Sequence, residues 1–237
     1  MILDTANAHT FVEAVRFIGS HPHFLATKAL EQLELSGAAI GIALAVALPL
    51  GIVLGHLHRG SGLAIGASIV GRALPSIFLI AVFLSVLGIG FDNNMLALAV
   101  LGTGPVLTNA YLAVDEVDRD AVEAARGMGF SGLQLLGRIE LPLASPLIFT
   151  GIRIASITVV ATAPIAAYAG GGGLGDVIAN QASYRLSGVL GASICVMALS
   201  AGVWIALVAL QRVTTPRGIR VARVIDAAEQ ADKEEAK

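Results

Sequence analysis

The side chains able to do chemistry are few, and their spacing suits little of it. Four histidines fall as two i, i+2 pairs, His21/His23 and His56/His58. A helical zinc site needs i, i+4 spacing, so these read as surface or interfacial residues and no metal is expected. Cys195 is single and lies in an apolar run, where it serves as a small hydrophobe. No His-Glu-x-x-His, Gly-x-Ser-x-Gly or cysteine cluster occurs. There is no Gly-x-x-x-x-Gly-Lys-[Ser/Thr], so the chain has no loop to cradle ATP phosphates. The glycine run AGGGGLG at 169–175 lacks the lysine and reads first as a flexible external turn, second as a gate element through Gly171 and Gly172. Between Leu35 and Leu210 the acids are Asp92, Asp115, Glu116, Asp118, Asp120, Glu123, Glu140 and Asp176, all expected in loops. Proton-driven carriers use an acid within the membrane, so this pattern counts against them.

One polar segment is built differently. Residues 115–142 open with acids and helix formers, VDRDAVEAAR, with arginine late, the order a helix dipole favours. Gly127 and Gly129 are expected to break that helix, and Ser131 to cap a second short one. The result is a helix–turn–helix elbow with Met128 and Phe130 as apolar knobs. Its charges are balanced, which suits a protein partner better than a lipid surface.

The elements around the elbow are membrane spans. The chain has 237 residues, 56% hydrophobic and 14% charged, against about 25% charged in soluble domains. Leu35 to Leu57 carries no charged residue, enough to cross a hydrocarbon core of about 30 Å. Five spans are expected, near 33–57, 63–89, 95–114, 146–168 and 187–210. The second is expected to break at Arg72 and Pro75. Residues 1–32 read as an external segment with a short amphipathic helix, 33–212 as the membrane domain and 213–237 as a cytoplasmic tail. Arg59, Arg119, Arg126, Arg138, Arg212, Arg217, Arg220, Arg223, Lys233 and Lys237 fall on one side; only Arg16, Lys28 and Arg185 fall on the other. That bias places the elbow and the C-terminus in the cytoplasm and the N-terminus outside. The net charge of −2 gives no case for nucleic acid.

The elbow also resembles a known signature. Glu123-Ala124-Ala125, three residues, Gly129, nine residues, Ile139, one residue, Leu141-Pro142 matches, position for position, the cytoplasmic motif of permease subunits of binding-protein-dependent ABC importers. The resemblance implies an all-α polytopic permease with five spans and a methionine-permease-like fold, in a bacterial inner membrane. It implies coupling helices that dock on an ATPase dimer through Glu123, Ala124, Ala125, Met128, Gly129 and Phe130. It also implies a second permease copy or sister permease, and an extracytoplasmic solute-binding protein. ATP and magnesium would then sit on the partner ATPase, with no cofactor on this chain.

The stretch ARGMGFSGLQLLGRIELPLASPLIFTGIRIASITVVATAPIAAYAGGGGLGDVI and the segment RALPSIFLIAVF look like the branch that imports glycine betaine, choline or carnitine. Arg72, where a neutral polar residue is expected, and Ala163-Pro164 depart from that branch. A permease for methionine or another polar amino acid is the alternative, and a stand-alone channel or ion-coupled carrier the third reading. With 5% aromatic residues the chain is poor in the groups that cage quaternary amines, so tight recognition is expected in the separate binding protein. Candidate pathway groups are Ser76, Thr103, Asn109, Ser156, Thr158, Thr162 and Tyr168. Arg72 and Arg153 are expected to be structural or gating.

Overall fold

The structure is a computed structural model that describes residues 2–214, with the side chains of 2–8, 63, 67, 68, 70, 72 and 214 left aside. Most of the expected tail, 215–237, lies outside the described residues. All regular structure among the described residues is helical: α1 (Ile2–Ser20), α2 (Pro22–His56), α3 (Ser61–Ala73), α4 (Ser76–Leu87), α5 (Phe91–Asp115), α6 (Arg119–Gly127) and α7 (Gly132–Leu135). A π turn (Leu136–Glu140) leads into α8 (Leu141–Thr162), a 3-10 segment (Ala163–Ala169), α9 (Gly175–Ala179) and α10 (Gln181–Thr214).

The core is α2, α5 and α8, and small residues let it close. Ala39, Ala43, Ala47, Gly51 and Gly55 form an i, i+4 stripe buried on α2. A side chain at Gly51 would start 2.7 Å from the Ala110 Cβ and 2.8 Å from the Leu107 carbonyl oxygen. One at Gly55 would start 2.7 Å from the Tyr111 carbonyl oxygen. α2 and α5 therefore run parallel at backbone contact distance, the packing that membrane helices use in place of a hydrophobic drive. α8 runs against both, with Gly151 set on Asn109 and the Pro105 carbonyl of α5. Buried Gln32 ties α2 to α8 by donating to the Val160 carbonyl at 3.0 Å.

The helix that carries the first expected span begins well before residue 33, and the expected break in the second apolar region is present. α2 runs unbroken from Pro22, which occupies its first turn, for 35 residues or about 52 Å. Residues 23–34 are mostly helix formers, so nothing stops the helix before the apolar stretch begins. The N-terminal segment is thus α1 plus the first third of α2, and α1 packs on the start of α10. The second apolar region is two helices parted at Leu74–Pro75, of about 20 and 18 Å, each too short to span alone. Among the described residues, four helical stretches are long and apolar enough to cross a membrane: 22–56, 91–115, 132–169 and 181–213.

The bundle therefore has two distinct ends. One gathers the ends of α2 and α5, the elbow α6–α7 and the start of α8. The other gathers α1, the start of α5, the 3-10 segment and the glycine run.

A candidate docking elbow and cleft

At the elbow, Asp118 caps α6, its Oδ1 accepting the Asp120 N–H at 2.9 Å. The helix then closes in a Schellman arrangement: the Phe130 N–H donates to the Ala125 carbonyl and the Gly129 N–H to the Arg126 carbonyl. Gly129 takes φ +85°, a conformation that side chains rarely adopt. Gly127 is simply the last residue of α6, so one glycine makes the turn rather than two. Gln134 Oε1 accepts the Ser131 N–H at 2.9 Å, one half of a capping box that starts α7.

This geometry divides the motif residues. Glu123, Ala124, Met128 and Gly129 are exposed, Ala125 is buried and Phe130 is half-buried. Ala125 thus holds the elbow together rather than facing outward. Met128 is 69% exposed and Leu133, which sequence reasoning passed over, is 84% exposed. The signal for Leu133 was available: an apolar residue two after the capping serine, on the opposite side of a short helix from Leu135, which is 2% exposed.

The base of the elbow was missed as well. Glu140 was expected in a loop; it lies in the π turn and is buried. Its Oε2 is 2.6 Å from Nδ1 of His56, and His58 Nδ1 is 2.7 Å from Asp115 Oδ1. Both histidines lie within hydrogen-bond distance of carboxyl groups; His56 is half-buried, while His58 stays exposed at the surface as expected. Their i, i+2 spacing reaches two carboxylates on different elements, a relation that spacing along one chain segment could not reveal.

Between α3, α4, α5 and α8 lies a cleft of about 590 Å³, lined by Gly71, Leu74, Pro75, Ser76, Leu101, Pro105, Ile154, Thr158 and Thr162. The break at Pro75 brings Ser76 to it, and one face of α8 supplies the two threonines. The other four pathway candidates do not line it. Thr103 donates to the Ala99 carbonyl, Asn109 donates to Pro105 beneath Gly151, and Ser156 is buried on the Ile152 carbonyl. Tyr168 is 71% exposed on the 3-10 segment at the opposite end. Arg72 belongs to α3, with its side chain outside the description. Arg153 donates to Gln211 Oε1 at 3.4 Å and reaches Thr150 Oγ1 at 3.5 Å, while Gln211 donates to the Pro146 carbonyl. It pins α8 to α10.

The glycine run is packed rather than loose. Gly170, Gly172 and Gly173 have φ of +73°, +71° and +77°. Glu31 Oε2 accepts the Gly173 N–H at 3.0 Å, and Lys28 Nζ bridges Glu31 and Asp176 at 2.8 and 2.7 Å. Gly171 donates to the Ala166 carbonyl, and Asn94 donates to the Ala169 and Gly90 carbonyls. Leu174 and Gly175 are buried beneath. The expectation of a flexible turn fails because positive-φ glycines fold the chain back onto α2 and the 3-10 segment.

Known proteins share this arrangement. Residues 47–218 match the family described as binding-protein-dependent transport system inner membrane component. The chain is 35% identical to a carnitine transport permease protein of Listeria monocytogenes, over 88% of this chain and 96% of that one. It is 31% identical to a glycine betaine/carnitine/choline transport system permease protein of Bacillus subtilis (strain 168), over 88% and 96%. A 30% identity to an osmoprotectant import permease protein of Salmonella typhimurium covers 88% and 100%. A solved structure of the MetNI methionine ABC transporter in an inward-facing conformation superposes with TM-score 0.69 over 81% of this chain and 96% of that one, at 21% identity.

Proposed function

We infer the function from one premise: this chain belongs to the family of binding-protein-dependent transport system inner membrane components. On that basis it is the permease subunit of an ABC importer that carries quaternary amine osmolytes such as carnitine, choline or glycine betaine. The cargo rests on the named relatives, which share about a third of their sequence with almost the whole chain. The methionine transporter shares 21% and speaks for the fold alone.

In this reading α3 and α4 together form the second of five spans, the elbow lies in the cytoplasm and the N-terminus outside. The observation that carries the docking role is the exposure of Met128 and Leu133 on an elbow whose motif matches the coupling signature. Two apolar knobs held in water by a capped turn are poised to bury themselves in a groove of an ATPase subunit. Glu123 stands exposed on α6 to pair with a basic residue there. Closure of an ATPase dimer around ATP and magnesium would push the elbow, and α8, continuous with it, would move. The cleft holding Ser76, Thr158 and Thr162 would then open and close against a second permease. Its few hydroxyls suit a weak, passing site, with tight binding left to a solute-binding protein.

The test is uptake into proteoliposomes that contain this chain, its ATPase and its binding protein. ATP-dependent accumulation of labelled carnitine, choline or glycine betaine is expected, with none when ATP is withheld. Gradient-driven uptake without any ATPase would overturn the reading, and accumulation of methionine alone would overturn the cargo.

A further inference from the structure

An imidazole at the end of α2 supplies a directional contact between the elbow and the bundle. α6 rests mainly on α7 and the π turn, so its position is inherited from theirs. The π turn meets the bundle through Leu136 and, just beyond it, Leu141, packed near Ala113, Val114 and Ile52. Such apolar contacts resist separation but set orientation poorly, because dispersion has little directional preference. The directional contact is the 2.6 Å bond between His56 Nδ1 and Glu140 Oε2. The Glu140 side chain is 4% exposed, so its carboxylate needs that donor. The His56 Nε2 also lies 3.7 Å from where a side chain on Gly132 would begin. One ring at the end of α2 thus borders both Gly132 and Glu140, the two ends of the elbow's second limb. The limb between them includes a π turn, a form that recurs where helices serve function.

We propose that His56 is a positioning residue for coupling: by gripping Glu140 beside Gly132 it fixes the angle between the elbow and α2, so that a push on the elbow moves the bundle rather than the elbow alone. The neighbouring pair His58–Asp115 fastens the end of α5 to the same segment, which makes α2, α5 and the elbow base one unit. The coupling role rests on the function proposed above; the grip itself does not.

The test compares His56→Ala and His56→Gln with the unaltered chain, first alone in nanodiscs and then in the complete transporter. A bond to a buried carboxylate is worth enough that its loss should speed amide exchange in residues 132–140 by about tenfold. Exchange in the middle of α5 and α8 should stay unchanged. In the complete transporter, His56→Ala should still co-purify with the ATPase yet move about tenfold less substrate per ATP hydrolysed. His56→Gln keeps a side-chain N–H donor and should recover most of both readouts. If His56→Ala does not accumulate in the membrane, Glu140→Leu, which keeps bulk but removes the acceptor, takes its place with the same expectations. Unchanged exchange at 132–140 overturns the grip. Faster exchange with undiminished substrate per ATP overturns the coupling role. Should the unaltered chain bind no ATPase at all, the functional reading falls while the exchange measurement still decides the grip.

Discussion

The two ends of this bundle solve opposite problems. At the glycine-run end the chain folds back on itself: Leu174 and Val177 are fully covered, and Lys28, Glu31 and Asp176 lace α2 to α9, with Tyr168 left exposed at the margin. At the elbow end the chain leaves Met128 and Leu133 in water and rests on a short ladder of contacts. A folded chain does not leave such knobs exposed on a capped, ordered turn for its own stability. The contrast teaches that one end is a cap held by packing, and the other is an unfinished surface whose base is held by apolar contacts and the His56–Glu140 bond.

The largest break in that contrast is expected from Gly175→Val. A Cβ there would collide with the Pro164 carbonyl oxygen and start 2.8 Å from the Ala167 Cβ, both fixed within the 3-10 segment. Overpacking of this kind costs about 3 kcal/mol or more, and the expected result is little folded protein in detergent. A normal thermal melt would show that the cap is pliable after all. Next comes the double change Met128→Asp with Leu133→Asp. ATPase co-purification should drop at least tenfold, because hot-spot truncations cost about 2 kcal/mol each. The melt should stay within about 0.5 kcal/mol of the unaltered chain, as exposed substitutions usually do. Equal losses of docking and of fold would erase the distinction between the ends.

Smaller effects sharpen it. Thr158→Val with Ser76→Ala removes two hydroxyls from the cleft and should raise the uptake KM a few-fold, leaving ATPase binding intact. An unchanged KM would move the path elsewhere. Lys28→Met should cost about 1 kcal/mol or less, since partly exposed ion pairs contribute little. It should leave docking untouched, and a docking defect in that variant would mean the two ends are not independent.

Much of this was legible in the sequence, and the misses share a cause. The helical class, the break at Pro75, the capping role of Ser131 and the turn at Gly129 follow from local rules, because proline, serine and glycine act on their own backbone. The start of α2 was not legible because hydropathy marks where a helix enters lipid, not where it begins. Glu140 and His56 are 84 positions apart, and only the fold shows that they meet. The pathway residues divide the same way. Ser76, Thr158 and Thr162 share a cleft, although Thr158, like Thr103 and Ser156, donates its hydroxyl to its own helix. A hydroxyl's direction is set by helix rotation against its neighbours, which composition does not record.

The central claim is that the elbow is the surface through which an ATPase drives this permease. Cross-linking tests it most directly, using Met128→Cys in a Cys195→Ser background with a cysteine placed in the groove of the co-expressed ATPase. The account predicts a cross-link that forms in the assembled transporter, with position 128 closed to a membrane-impermeant thiol reagent added from outside the cell. Labelling of position 128 from outside, or transport that proceeds at full rate with no cross-link, would contradict it.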